Sequence, residues 1–128
     1  ITPNIHCWSD HENPLKSYIQ SLDKIRRIDV DLVLPGHRSV FTDLCARVDE
    51  LIVFHENRLN EIRGILEKSP KTAYETAARL RWDIDDSWNN FSITQQWFAT
   101  GEALSHLRYL DEAGQANRQT GGKYCLIF

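Results

Sequence analysis

Few side chains in this sequence pair a chemistry with a spacing that would let it operate, and His37 is the first of them. It closes the stretch Asp31-Leu32-Val33-Leu34-Pro35-Gly36-His37. The apolar run Val30 to Leu34 reads as a short strand, Pro35 ends its ladder, and Gly36 lets the backbone turn sharply. One imidazole is thereby delivered to the carboxyl end of a strand, where α/β sheets collect ligands and catalytic groups. By spacing alone His37 is either an ordinary turn residue or such a group. A second cluster, His6, Cys7, Asp10 and His11, holds four potential metal ligands. Its offsets match no standard zinc site, so incidental surface residues are expected there, with Trp8 and Ser9 as loop filler. Asp83, Asp85, Asp86, Asn89 and Asn90 suggest a calcium loop only superficially. Trp88 and the missing ligand order make that segment a solvated loop.

The elements that must position these groups follow from periodicity and caps. Residues 1 to 12 read as an irregular lead-in. Asn13 and Pro14 start a helix, since an Asn side chain accepts from an orphan N–H and Pro is tolerated at the first helical position. Leu15, Tyr18, Ile19, Leu22, Ile25 and Ile28 share one face, which is expected to pack on the sheet that residues 30 to 34 join. One strand cannot make a sheet, so its partners must come from elsewhere. A long helix is predicted from about Thr42 or Leu44 to Lys68, with Val48, Leu51, Ile52, His55, Leu59, Ile62 and Leu66 in one stripe. His55 on that stripe reads as a half-buried histidine, hydrogen-bonded within a helix bundle. Ser69-Pro70 ends the helix, and Thr72-Ala73-Tyr74-Glu75 has capping-box spacing for a short helix to about Arg81. Ser92 or Thr94 caps a third helix, about Gln95 to Ala113, burying Phe98, Ala103, Leu107 and Leu110, with Gly114 as its C′ residue. Strands of about Ala116 to Gln119 and Lys123 to Ile127 then form a hairpin through Thr120-Gly121-Gly122.

Composition bounds the possibilities. A chain of 128 residues with 41% apolar content can bury one core, or a small domain with an appendage. No apolar run is long enough to span a membrane, and no signal-peptide pattern opens the sequence. Cys7, Cys45 and Cys125 are odd in number and lack zinc-finger or redox spacing, so free thiols in a reducing cytoplasm are expected. A net charge of −3 promises no polyanionic partner.

The segment "DLVLPGH" resembles the last metal-ligand motif of the metallo-β-lactamase-fold hydrolases. Thr2-Pro3-Asn4-Ile5, then Asn13-Pro14-Leu15-(x)2-Tyr18-(x)2-Ser21-Leu22, match in the right order and at the right distance. His55-Glu56-Asn57-Arg58-Leu59, Thr72-Ala73-Tyr74-Glu75 and Ala103-Leu104-Ser105-His106-Leu107-(x)2-Leu110 extend the similarity over essentially the whole chain. The branch it resembles holds β-lactamase-like hydrolases with a C-terminal winged helix, related to the glyoxalase II group. The resemblance implies a parent enzyme with a binuclear zinc site and a metal-bound hydroxide. It also implies His37 as a metal ligand, with His55, Asn57 and Arg58 near the mouth of the active site. Arg58 would there grip a substrate carboxylate or phosphate through its planar fork, unless it is simply solvated. The family's His-x-His-x-Asp-His motif, a further His and the bridging Asp have no counterpart here. One imidazole cannot hold a catalytic zinc, so no catalytic residue and no zinc is assigned to this chain alone.

The expected fold class is mainly α with a small β-hairpin: an incomplete α/β edge of a metallo-β-lactamase fold over residues 1–44, then a winged-helix-like domain over 45–128. The expected function is the C-terminal part of a cytoplasmic zinc hydrolase, inactive alone, its winged helix lining the cleft or an interface. Esters, thioesters or RNA are the substrates the resemblance allows for the parent, and Trp88 and Trp97 could support a homodimer. The rival is a winged-helix nucleic-acid-binding or protein-interaction module. DNA is disfavoured, because residues 94–113 offer Arg108 alone against Glu102, Asp111 and Glu112.

Overall fold

The computed structural model describes residues 2–128. Helix α1 is Pro14–Ile25, α2 Leu44–Leu66, α3 Ala73–Ala77 and α4 Ile93–Glu112; strands β1, Ala116–Arg118, and β2, Tyr124–Leu126, form an antiparallel hairpin. A single 3₁₀ turn, Trp88–Asn90, punctuates the loop before α4.

Every α-helix starts on a side chain that accepts an orphan amide. Asn13 accepts from the Lys16 N–H at 3.1 Å and Asp43 from the Ala46 N–H at 2.9 Å. Thr72 with Glu75, and Ser92 with Gln95, make complete capping boxes. Helix α4 thus begins two residues before the expected Gln95 and ends at Glu112, followed by Ala113 as C-cap and Gly114, whose φ of +71° suits a residue without Cβ. Gly121 and Gly122, at φ +82° and +73°, close the hairpin, which is shorter than expected. Lys71 adds one rung to its edge, exchanging two hydrogen bonds with Tyr124 at 3.1 and 2.8 Å.

The core lies where α2 and α4 face each other and the hairpin closes one side. Leu59, Ile62, Leu66, Ala103, Leu107, Leu110 and Tyr124 are its buried members, joined by Leu15 from α1. A smaller cluster, Leu22 with Val48 and Leu51, joins α1 to the start of α2. Helix α1 therefore packs on other helices and not on a sheet. Ile25 and Ile28, expected on its buried face, are exposed.

Two further expectations need correction. Residues 30–34 form no strand: a lone bridge pairs Val33 with Phe41, through hydrogen bonds of 2.7 and 3.3 Å, and closes a loop over residues 34–40. Among the described residues no other strand lies beside it, so Leu32, Leu34 and Val40 stay exposed. Phe98 is 42% exposed, because the inward face of α4 runs through Ala99, Ala103, Leu107 and Leu110 and Phe98 falls one position out of phase.

Candidate functional site

His37 stands exposed in the loop closed by the Val33–Phe41 bridge, and Arg38 after it takes a left-handed φ of +67°. The loop borders a cavity of about 810 Å³. Tyr18, Leu22 and Ile25 of α1 and Leu44, Val48 and Leu51 of α2 form its apolar walls, and Pro3 of the lead-in touches its edge. A large apolar hollow with one convergent imidazole is what a binding site requires in outline. Metal chemistry needs more. Among the described residues no three His, Cys, Asp or Glu side chains stand close enough to hold an ion, whereas a catalytic zinc takes about three protein ligands. The residues present do not form such a site by themselves.

His6, Asp10 and His11 stay at the surface, as expected, whereas Cys7 is buried and the lead-in docks on α4. The backbone of Cys7 donates to the Gly101 carbonyl at 3.1 Å, and its buried thiol meets the Ser9 carbonyl at 3.2 Å. Trp8 stacks on Trp97 with centroids 4.7 Å apart, and His6 lies beside the rings of Trp97 and Phe98. Asp10 accepts from Arg118 at 3.0 Å through its carboxylate and from Arg108 at 2.5 Å through its carbonyl. His6, Cys7 and Asp10 thus have structural partners on α4 and β1, and the lead-in lies strapped across α4.

His55 is fully buried, not half-buried. Its Nδ1 lies 3.1 Å from Nε2 of His106, and Nδ1 of His106 lies 2.8 Å from the Glu102 carbonyl. Burial, and then the Arg58 charge, lowers His55 to about 4. Burial lowers His106 to about 3 despite its bond to the Glu102 carbonyl, with His55 and Arg58 adding to the effect. Both imidazoles are therefore neutral at physiological pH. Burial raises the Glu102 carboxyl, opposed by Arg58 and by Asn4, which donates to it at 2.8 Å. His106 carried no assigned role in the sequence, although its place among Ala103, Leu107 and Leu110 was the available signal.

Arg58 is buried as well, with 8% of its side chain exposed. It donates to the Arg81 carbonyl at 2.7 Å and to Glu61 at 3.3 Å, lies 3.7 Å from Glu102, and is flanked by the rings of Phe54 and Trp82. Neither His55 nor Arg58 lines the cavity beside His37. Arg58 instead lines a separate hollow of about 270 Å³ with Phe54, Asn57, Glu61 and Arg81. Of the aromatics considered for an interface, Trp97 is 48% exposed, while Trp88 is partly buried and donates to the Tyr74 hydroxyl at 3.3 Å. No helix among the described residues is long and apolar enough to cross a membrane.

Comparison with known proteins places this architecture. Residues 59–128 match the family model described as metallo-beta-lactamase-like, C-terminal domain. The probable metallo-hydrolase YqjP of Bacillus subtilis (strain 168) is 30% identical over 67 residues, which are 52% of this chain and 21% of that protein. The crystal structure of a beta-lactamase domain protein from Burkholderia ambifaria superposes with a TM-score of 0.83 at 31% identity, over 97% of this chain and 37% of that one. A metallo-beta-lactamase family protein from Thermus thermophilus gives 0.81 at 30% identity, over 99% and 38%. The chain thus spans well under half the length of each relative.

Proposed function

This chain belongs to the metallo-β-lactamase-like family, whose C-terminal domain occupies residues 59–128, and from that premise we propose that it is the C-terminal part of a metal-dependent hydrolase. The observation that carries the reading is the placement of His37, an exposed imidazole at the rim of a cavity walled by α1 and α2. In this reading His37 is one ligand of a zinc site, binuclear in the complete enzyme, whose other ligands lie outside the described residues. Zinc in such hydrolases supplies hydroxide near neutral pH and polarises the scissile group. The part this chain plays is to offer one imidazole and an apolar wall, and alone it turns over no substrate.

Helices α2, α3 and α4 followed by the hairpin have the order of a winged helix, and we assign residues 45–128 to that module, with 1–44 as the edge of the hydrolase fold. Its role here is to wall the cleft, with His55 and Arg58 supporting that wall from within. A DNA-reading role lacks support in α4, where Arg108 is tied to Asp10 and Glu102 is buried. Ester or thioester substrates, or RNA bound by basic surface elsewhere in the enzyme, fit this reading, as does a cytoplasmic setting for the three free thiols. The test begins with the coding DNA upstream of Ile1, read in frame, and with expression of the longest product. Bound zinc, chelator-sensitive hydrolysis of a thioester, lactone or phosphodiester, and loss of metal in His37→Ala support the proposal. A product without metal or hydrolysis overturns it, as does turnover by the 128-residue chain itself.

A further inference from the structure

The hydrogen bonds of the buried histidine pair fix where its protons are. His106 Nδ1 faces a carbonyl, so it carries hydrogen and its Nε2 is an acceptor. His55 Nδ1, 3.1 Å from that Nε2, is then the donor, which leaves Nε2 of His55 as a bare nitrogen, buried and without a partner. An added proton has two places to go. On His55 Nε2 it meets no acceptor; between the two rings it sets hydrogen against hydrogen across 3.1 Å.

Three elements enclose the pair. Tyr18 of α1 meets His55 edge to face at 5.5 Å, and Phe54 of α2 does so at 5.2 Å. The charge that bears on it is Arg58 from α2; Glu102 of α4 meets His106 through its backbone carbonyl, while its carboxylate is engaged by Asn4 of the lead-in and by Arg58. From α1 the titratable group facing it is the Tyr18 phenol, which burial raises and which stays neutral in acid.

We propose that the His55–His106 pair is an acid-sensitive lock on α1, holding that helix against α2 and α4 while both rings are neutral and releasing it on proton uptake. Release would move the wall that Tyr18, Leu22 and Ile25 give to the cavity beside His37. The lock stands on packing and hydrogen bonding, and it holds whatever reaction the cavity serves. The lowered proton affinities of both rings support it, since an exposed imidazole takes up its proton near 6.5. Two surface ties also hold α1: Lys16 and Asn13 to Glu112, and Arg26 to Asp49. Hydrogen bonds from Lys16 and Asn13 hold Glu112 below the usual carboxylate range, so that tie stays intact between pH 6.5 and 5.

The test is imidazole NMR on the intact 128-residue chain, combined with amide hydrogen exchange corrected for its intrinsic pH dependence. Both rings should stay neutral at pH 5.5, with His55 in the Nδ1–H form. Each proton taken up on release raises the opening constant up to tenfold per pH unit. Exchange at Ser21 and Leu22 should therefore quicken at least tenfold from pH 6.5 to 5, ahead of Ile62 in α2. His55→Asn keeps a donor near the Nδ1 position and removes the bare nitrogen, so its α1 exchange should be flat over that range. Titration of either ring near 6.5 in the folded chain overturns the proposal. So does α1 exchange that is unchanged in the wild type, that rises together with Ile62, or that keeps its pH dependence in His55→Asn. Should that variant fail to fold, the wild-type titration and exchange decide alone.

Discussion

The guanidinium carbon of Arg58 sits 4.5 Å from the centre of the Trp82 ring, while its Nη1 donates to the carbonyl of Arg81, the residue just before that tryptophan. One side chain on α2 thereby anchors the start of the loop that leads to α4. Removing a partner from a buried ion pair strands the other charge, here Glu102, at about 3 kcal/mol or more, and the lost cation–π contact adds about 1 kcal/mol. Arg58→Ala should therefore lower the urea midpoint of the chain sharply, with a change in tryptophan emission. An unchanged midpoint would mean that Arg58 is not a structural member.

Gly101 marks where the lead-in crosses α4. A Cβ there would lie 2.7 Å from Cζ2 of Trp8 and 2.9 Å from Cβ of His6. Overpacking of this kind costs about 1–3 kcal/mol, against which alanine regains up to about 1 kcal/mol of helix propensity. The expected result for Gly101→Ala is a net loss of stability and a displaced Trp8, seen as altered emission and faster exchange of the Cys7 amide. A more stable variant with unchanged emission would contradict the contact.

Acid should act on the chain in two stages. A histidine whose folded affinity is depressed gives stability that is whole above its unfolded value of 6.5 and is lost as pH falls through the folded values, about 4 for His55 and about 3 for His106. Glu112 is held below the usual carboxylate range by hydrogen bonds from Lys16 and Asn13. Its contribution is complete above about 4.5 and is lost as pH falls further. Urea midpoints measured from pH 7.5 to 3.5 should decline from about 6.5 downward in the wild type. Lys16→Ala should lower that curve above about 4.5 and converge on the wild type as pH falls further, and salt should blunt the Lys16 effect.

His37 is exposed in a loop, so His37→Ala should leave the stability of the isolated chain within about 0.5 kcal/mol of the wild type. The same change in the longest in-frame product should reduce bound zinc. A large stability loss in the isolated chain would instead assign His37 to the fold.

What the sequence disclosed was what neighbouring residues decide among themselves. Asn13, Thr72 and Ser92 cap their helices because a hydroxyl or amide three residues ahead of an orphan N–H needs no distant help. Gly114 and the Gly121-Gly122 turn follow from local backbone sterics in the same way. Contacts made across the fold were harder to read. Residues 30–34 have strand chemistry, yet a strand exists only where another lies beside it. Phe98 has core chemistry but the wrong phase on α4. The burial of Arg58 depends on Trp82 and Glu102 arriving from two other places, and His106 gains its role only by facing His55. At the candidate site, the sequence identified His37 through a turn and a resemblance, while the cavity walls needed the packing of α1 on α2.

The strap across α4 also bears on the order in which the molecule can assemble. Asn4 bonds to Glu102 and Asp10 to Arg108, each pair 98 positions apart, and Asn13 reaches Glu112 over 99. At ribosomal speeds of about 5–20 residues per second, the lead-in and α1 wait roughly 5–20 s for these partners to be synthesised. Loop closure over such separations is slow compared with the shorter-range docking of α2, α3, α4 and the hairpin. The lead-in is therefore made before the helix it straps and finds its place after it.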